Sequence, residues 1–452
     1  MRVLSSSKKV TKLSKDRKFG TDGVRGPVET TMNPLFVTKL GWAAGSIFME
    51  EGISTILIGK DTRISGYMLE SALQAGLISS GIDVVLLGPI PTPGVSYLSR
   101  SNSCGGIVIS ASHNLFEDNG IKFFNKDGQK ISQTLEQRIE SRLTESIKSV
   151  KSIDLGKASR LEDAPGRYIE FCKSTVSGLD LNGLRILLDC ANGATYNIAP
   201  KVLSELGADV VSLASQPDGI NINKDCGSTN PEFLKKHIKE GDYDLGIGFD
   251  GDGDRILVVS KEGQILDGDD LLYILSKKMT KSLPDSGVVG TLMTNKALEL
   301  HLNKQNIDFV RVDVGDKYVL EKLIEKEWNL GGEPSGHVIC FKQSPTGDAI
   351  ITALKFLEVI SEDSFDVCRS LGDFRKFPQK LINLKVENPN KIITNDEFWK
   401  EVYSIEENLG DFGRVLVRPS GTEPLIRIMV EAQKKENSEI NADKLAAIAL
   451  KI

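Results

Sequence analysis

The pattern that most narrows the fold is a β-branched strand, a helix-like stretch and a second strand, met three times. Thr55-Ile-Leu-Ile58 precedes a helical stretch over 66–80 and then Gly81-Ile-Asp-Val-Val-Leu-Leu87. Arg185-Ile-Leu-Leu188 precedes 194–206 and Gly207-Ala-Asp-Val-Val-Ser-Leu213. Val288-Val-Gly-Thr-Leu292 precedes 295–305 and Asn306-Ile-Asp-Phe-Val-Arg-Val312. The repeats lie 126 and 99 residues apart, and the lead into each second strand carries an Asp in third position. Buried strands alternating with helices predict mostly parallel sheets covered on both faces. The shared Asp points to duplication of one unit.

After about residue 375 the texture changes. Leu381–Val386 alternates as a strand, Asn395–Asn408 has a helical pattern, and Gly413–Val417 and Leu425–Val430 flank a polar loop. The fold class is therefore α/β: three related mixed α/β domains built on βαβ units and a smaller C-terminal α+β domain. The expected division is a basic tail 1–18, then 19–158, 159–260, 261–375 and 376–452. The tail holds seven Lys or Arg against one Asp and lacks the apolar core of a secretory signal. A net charge of −6 argues against nucleic-acid or anionic-membrane binding. No apolar run approaches the ~20 residues that span a bilayer. Six scattered cysteines without C-x-x-C spacing suit a reducing cytoplasm rather than a disulfide or zinc framework.

Four loops concentrate the chemistry. Ile107-Val108-Ile109 breaks into Ser110-Ala-Ser112-His113-Asn114, with Gly120 and Lys122 close behind, so hydroxyl, imidazole, amide and ammonium groups gather at a strand end. Between Leu245-Gly-Ile and Ile256-Leu-Val-Val lies Asp250-Gly-Asp252-Gly-Asp254-Arg255. Three carboxylates so close repel unless a cation joins them. All-oxygen donors select a hard ion, Mg²⁺ before Ca²⁺, Mn²⁺ or Zn²⁺. An EF-hand is excluded, because Arg255 and Lys261 stand where that loop needs Gly and Glu. Gly331-Gly-Glu333-Pro-Ser335-Gly-His337 offers a carboxylate and a hydroxyl suited to vicinal sugar hydroxyls. Arg418-Pro-Ser420-Gly421-Thr422-Glu-Pro-Leu-Ile-Arg427 offers guanidiniums, hydroxyls and free amides to a phosphate dianion. Neither a nucleotide P-loop nor a G-x-S-x-G elbow is present. The set describes metal-assisted phosphoryl transfer at Ser112 on a sugar phosphate.

In order and content these four loops resemble the signature loops of the α-D-phosphohexomutase family, over residues 18 to the end. Phe19-Gly-Thr-Asp-Gly-Val-Arg-Gly26 resembles the opening of the family's amino-sugar branch. The resemblance implies four domains whose loops line a central cleft, Ser112 carried as a phosphoserine, and Mg²⁺ held by Ser112, Asp250, Asp252 and Asp254. Arg25, His113 and Lys122 would act on the reacting oxygens. Glu333, Ser335 and His337 would bind the sugar, and Arg418, Ser420, Gly421, Thr422 and Arg427 its phosphate. The implied substrate is a hexosamine phosphate, glucosamine 6-phosphate going to glucosamine 1-phosphate, with a hexose bisphosphate as intermediate or activator. Glucose or mannose phosphate turnover is the alternative within the family, and a non-catalytic sugar-phosphate sensor is the alternative outside it. A homodimer is left open. Leu115 follows His-Asn where family members usually carry Pro, Pro334 stands where glucosamine mutases generally carry Gln, and Lys317 stands where Arg is commoner.

Overall fold

A computed structural model describes residues 19–20, 22–279, 286–419 and 425–452. The chain forms two compact units, one of residues up to Asp267 together with Ser335–Ser361, the other of Gly268–Pro334 together with Glu362–Ile452. No helix among the described residues is long and apolar enough to cross a membrane.

The threefold repeat has one local geometry. Helices Ser65–Ser79, Ala199–Glu205 and Lys296–Lys304 lead into strands Asp83–Pro89, Asp209–Leu213 and Asp308–Val312, so each second strand begins at the shared Asp. Between them the chain turns through Gly81, Gly207 and Asn306, all at positive φ (+97°, +105°, +57°). The next residue's N–H reaches back five positions in every case: Ile82 to Leu77 O at 3.2 Å, Ala208 to Leu203 O at 3.1 Å, Ile307 to Leu302 O at 3.0 Å. That is a left-handed helix stop, which favours Gly or Asn at the turning residue. In each unit the second strand pairs parallel with the first, Thr55 opposite Asp83, Arg185 opposite Asp209 and Gly287 opposite Asp308. The middle helix begins at Ala199, later than the expected 194. Pro200 suits the first turn of a helix, and residues 191–195 are spent in a loop in which Ala191 and Asn192 have positive φ.

In the first unit a six-stranded mixed sheet runs in the order Val24–Pro27, Asp118–Phe124, Gly105–Ile109, Thr55–Lys60, Asp83–Pro89, Ala158–Arg160. Its core packs Trp42, Phe48, Leu73, Ile107 and Phe123 between sheet and helices. A five-stranded sheet runs in the order Ile265–Leu266, Ile256–Ser260, Leu245–Phe249, Arg185–Asp189, Asp209–Leu213. The expected parallel pairing holds through the middle of these sheets and gives way at one edge of each. Strands Gly105–Ile109 and Asp118–Phe124 pair antiparallel, as do Leu245–Phe249 and Ile256–Ser260, because short polar loops join them.

In the second unit Gly287–Thr291 pairs parallel with Asp308–Val312 and with Leu330–Gly332. An antiparallel sheet places Leu425–Ala432 between Gln379–Lys385 and Gly413–Pro419, under the helices Asp396–Leu409 and Lys435–Ala449. Arg414 fastens this sheet to the repeat. It forms a two-pronged pair with the fully buried Glu431 (2.8 and 3.0 Å) and donates to the carbonyls of Leu292 and Thr294 at 2.8 Å each.

Candidate active site

Strand Gly105–Ile109 is buried throughout and pairs parallel with Thr55–Lys60 and antiparallel with Asp118–Phe124. The hairpin loop between them therefore opens at the carboxyl end of a parallel strand, where α/β sheets bind ligands. Ser112 lies in that loop, buried, with φ at +52°. Its hydroxyl donates to Asp250 Oδ2 at 2.7 Å, and its Oγ lies 3.5 Å from His113 Nδ1. Burial, reinforced by Arg255 and Arg25, pulls the His113 imidazole down to about 4, so it is neutral at pH 7.

The aspartates occupy the loop of the second hairpin, where Phe249 faces Ile256. Asp250 Oδ1 accepts the N–H groups of Asp254 and Arg255 at 3.2 Å each, which folds the loop over its first carboxylate. Gly253 has φ +71°, and a Cβ there would come within 2.7 Å of Thr195 and 3.1 Å of Pro91. Asp250, Asp252 and Asp254 are all buried, and each offers an oxygen within 4.8 Å of the others. Burial and the neighbouring Asp254 and Asp252 push Asp250 well above the usual carboxylate range. Asp254 is also raised by burial, but Lys122 and His337 outweigh it and hold its carboxyl low.

These residues fit a divalent cation. The Oδ1 atoms of Asp252 and Asp254 are buried and have no hydrogen-bond partner, while the other oxygens are engaged. Thr92, the first residue of helix Thr92–Asn102, donates its hydroxyl to Asp252 Oδ2 at 2.6 Å and its N–H to Asp252 O at 2.8 Å. Lys122, fully buried, donates to Asp252 at 2.8 Å and Asp254 at 3.3 Å and lies 3.2 Å from Asp22. Burial lowers an ammonium, but Asp22, Asp252 and Asp254 together hold Lys122 above its ordinary value. Asp22 also pairs with Arg25 and Lys130, so three cations gather on one carboxylate. Arg25 is aligned by strand register, opposite Gly120.

His337 is buried beside the aspartate loop. The Gly347 N–H donates to its Nε2 at 3.1 Å, which assigns the ring proton to Nδ1, 3.8 Å from Asp254 Oδ2. Ser335 is exposed in the same unit. Glu333 belongs to the second unit, where its Oε1 accepts the Gly315 N–H at 3.1 Å. Arg418 and Arg427, also in the second unit, face each other across paired strands and line a small cavity with Met293, Leu381, Leu416 and Met429. Burial first, and Arg427 second, lower the Arg418 guanidinium. Ser420, Gly421 and Thr422 lie outside the described residues. The structure thus brings together Ser112, His113, Lys122, Arg25, the three aspartates and His337 within the first unit.

Sequence reading did not single out Thr92, Asp22 or Lys130. Thr92 had a signal, the Pro91-Thr-Pro93 strand-to-helix junction. Asp22 sat inside the quoted opening motif without an evident partner. Lys130 carried no signal.

Four family models match in succession. The phosphoglucomutase/phosphomannomutase alpha/beta/alpha domains I, II and III match residues 16–149, 166–263 and 267–377, and the C-terminal domain of the same family matches 381–447. The chain is 51% identical over 436 residues to a phosphoglucosamine mutase of Alcanivorax borkumensis, covering 96% of this chain and 98% of that one. It is 49% identical over 448 residues to a phosphoglucosamine mutase of Legionella pneumophila, covering 97% and 98%. Among solved structures, a phosphoglucomutase/phosphomannomutase family protein of Burkholderia thailandensis superimposes with a TM-score of 0.81 at 24% identity, covering 94% and 97%.

Proposed function

The chain belongs to the phosphoglucomutase/phosphomannomutase family, and from that premise we propose that it is a phosphoglucosamine mutase, interconverting glucosamine 6-phosphate and glucosamine 1-phosphate. The observation that carries the reading is the hydrogen bond from the Ser112 hydroxyl to Asp250, within a buried three-aspartate loop in which the Oδ1 atoms of Asp252 and Asp254 lack hydrogen-bond partners. In this reading Ser112 carries a phosphoryl group. A sugar hydroxyl attacks phosphorus, its proton leaves to a neighbouring base, the new P–O bond to the sugar forms and the P–O bond to Ser112 breaks. The products are a hexose bisphosphate and the free serine. The sugar turns, Ser112 gives its hydroxyl proton to the neighbouring base as Oγ attacks the other phosphate, the P–O bond to the sugar breaks and the sugar oxygen takes up a proton, so the phosphoserine is regenerated as the isomer leaves.

Asp250, Asp252, Asp254 and the Ser112 oxygen would hold Mg²⁺, which supplies positive charge to the transferring phosphate. Lys122 and Arg25 add fixed cations at the same place, and a water-excluded site makes such charges more effective. His113, neutral at pH 7, is able to accept a proton next to Ser112 Oγ. Glu333, Ser335 and His337 are assigned to the sugar. Arg418 and Arg427, with Ser420, Gly421 and Thr422, are assigned to the phosphate that is not reacting. Domains 19–158, 159–260, 261–375 and 376–452 each contribute one loop in this scheme. The enzyme is read as cytoplasmic, feeding amino-sugar nucleotide synthesis. Turnover of glucosamine 6-phosphate, compared with mannose 6-phosphate and glucose 6-phosphate on one preparation, tests the assignment. Preference for either neutral sugar over glucosamine 6-phosphate would move the chain to the other branch of its family.

A further inference from the structure

Ser112 holds a backbone conformation that residues other than glycine keep only when their surroundings over-determine it. Here a buried polar frame reaches the loop from two sides. Arg63 is fully buried beneath it. Its Nη2 donates to the carbonyls of Ser112 and Asn114 at 2.8 Å each, and its Nη1 donates to those of Leu115 and, at 3.2 Å, Asp118. Its Nε donates to Asp61 Oδ2 at 2.7 Å. The same oxygen accepts the Ser110 hydroxyl at 2.6 Å, and Ser110 Oγ accepts the Ser112 N–H at 2.9 Å. From the other side Asn223 Nδ2 donates to the carbonyls of Ser112 and Asn114 at 2.8 and 2.9 Å. Asn223 is itself fixed against the aspartate-bearing domain, its N–H donating to Ala191 O at 2.9 Å. A Cβ on Gly251 of the aspartate loop would lie 2.7 Å from its side-chain nitrogen.

Both backbone polar groups of Ser112 are therefore engaged, the carbonyl by Arg63 and Asn223 and the N–H by Ser110. Only the side-chain torsion remains to move Oγ. No bond of the frame goes to Oγ itself, so the frame does not depend on the charge Oγ carries. We propose that Arg63, Asp61, Ser110 and Asn223 form a positioning frame that keeps Ser112 Oγ aimed at the aspartate loop whether the serine is free or phosphorylated. The inference rests on Ser112 being the phosphoryl carrier. Asn223 also ties the serine loop to the domain that bears the aspartates, so one side chain registers nucleophile against metal site. The frame residues act through Ser112 and not on substrate, so they govern turnover rather than substrate affinity.

The full chain carrying Ser110→Ala or Asn223→Ala, each a small deletion that leaves the Arg63–Asp61 pair intact, tests this beside Ser112→Ala. Three quantities are read: kcat and KM with glucosamine 6-phosphate, the melting curve, and the rate at which intact mass reports phosphoserine formation from glucose 1,6-bisphosphate. A displacement of about 1 Å at a reacting centre costs ~100-fold in rate. Both variants should lose roughly 10- to 100-fold in kcat and in phosphorylation rate, at unchanged KM and with a cooperative melt. Arg63→Lys, which keeps the charge beside Asp61 but not the planar fork, should fall as far. Wild-type kcat and phosphorylation rate in both small variants, or a loss seen only in KM, would overturn the frame. Turnover surviving in Ser112→Ala would instead overturn the phosphoserine reading beneath it.

Discussion

Thr92→Val offers a sharp test of how the aspartate loop is tuned. Asp252 Oδ2 receives two donors, the Thr92 hydroxyl at 2.6 Å and Lys122 Nζ at 2.8 Å, while Oδ1 is buried and free for a cation. Valine keeps the shape of threonine and removes one donor. A hydrogen bond to a charged group contributes ~1.5–3 kcal/mol. Loss of a partner behind a metal-ligating group typically costs ~10- to 100-fold in affinity, or about 1.4–2.8 kcal/mol at 1.4 kcal/mol per tenfold. The two estimates agree in size, and the bond that is lost is one of the two that orient the carboxylate. Mg²⁺ activation of turnover, measured at saturating glucosamine 6-phosphate, should shift to roughly 10-fold or more higher concentration, with the KM for sugar phosphate unchanged. Thr92→Ser keeps the donor and should restore the wild-type titration. A Thr92→Val enzyme whose Mg²⁺ midpoint matches wild type would show that Asp252 is not a ligand, or that Lys122 alone orients it.

Three further outcomes follow from buried charge and from the proposed phosphate-binding role of Arg418. Arg414→Met leaves Glu431 buried without its ion-pair partner and with the Lys296 N–H still on Oε2; breaking a buried pair typically costs ~3–5 kcal/mol and should lower the melting temperature sharply, whereas a wild-type melt would mean the pair contributes nothing. Burial pushes Asp348 up to about 6, against the Ile351 N–H and the Tyr168 hydroxyl that bond to it. The folded state thus keeps a proton that the unfolded chain releases near pH ~4. Its stabilising contribution is complete below that pH and is lost as pH rises to about 6. Asp348→Asn should therefore raise the melting temperature at pH 7.5 and leave it unchanged at pH 4, and an equal change at both would refute the burial argument. Arg418→Ala should raise the KM for glucosamine 6-phosphate by roughly 10- to 100-fold, the equivalent of ~1.5–3 kcal/mol for a charge-assisted contact, and an unchanged KM would place the phosphate elsewhere.

The parts legible in the sequence are those whose cause is local. The left-handed stops at Gly81, Gly207 and Asn306 each depend on one residue that tolerates positive φ, and an Asp follows two places on in every case, so the repeat could be read directly. The three aspartates fall within five consecutive residues, and the glycines between them signal a tight loop. Thr92 and Asp252 are 160 positions apart, and Ser112 and Asn223 are 111 apart, and they meet only when loops of two different sheets come together. Arg63 was hidden by its own chemistry. An arginine in a polar stretch reads as solvated, and only burial against backbone carbonyls reveals its task. The late start of the helix at Ala199 had the same origin, since the residues ahead of it serve the loop that backs the aspartates, with Ala194 N–H on Gly251 O at 2.8 Å.

The fate of phosphate at Ser112 is the most direct test of the proposed chemistry. Protein phosphorylated at Ser112 is mixed with an equal amount of glucosamine 6-phosphate in Mg²⁺, and intact mass with peptide mapping follows the serine while the sugar phosphates are separated. Phosphate should leave Ser112 on the timescale of turnover, a glucosamine bisphosphate should appear with it, and glucosamine 1-phosphate should follow as Ser112 is rephosphorylated. Isomer formed while the phosphoserine persists undiminished, or phosphate lost from Ser112 to water with no bisphosphate, would contradict that chemistry.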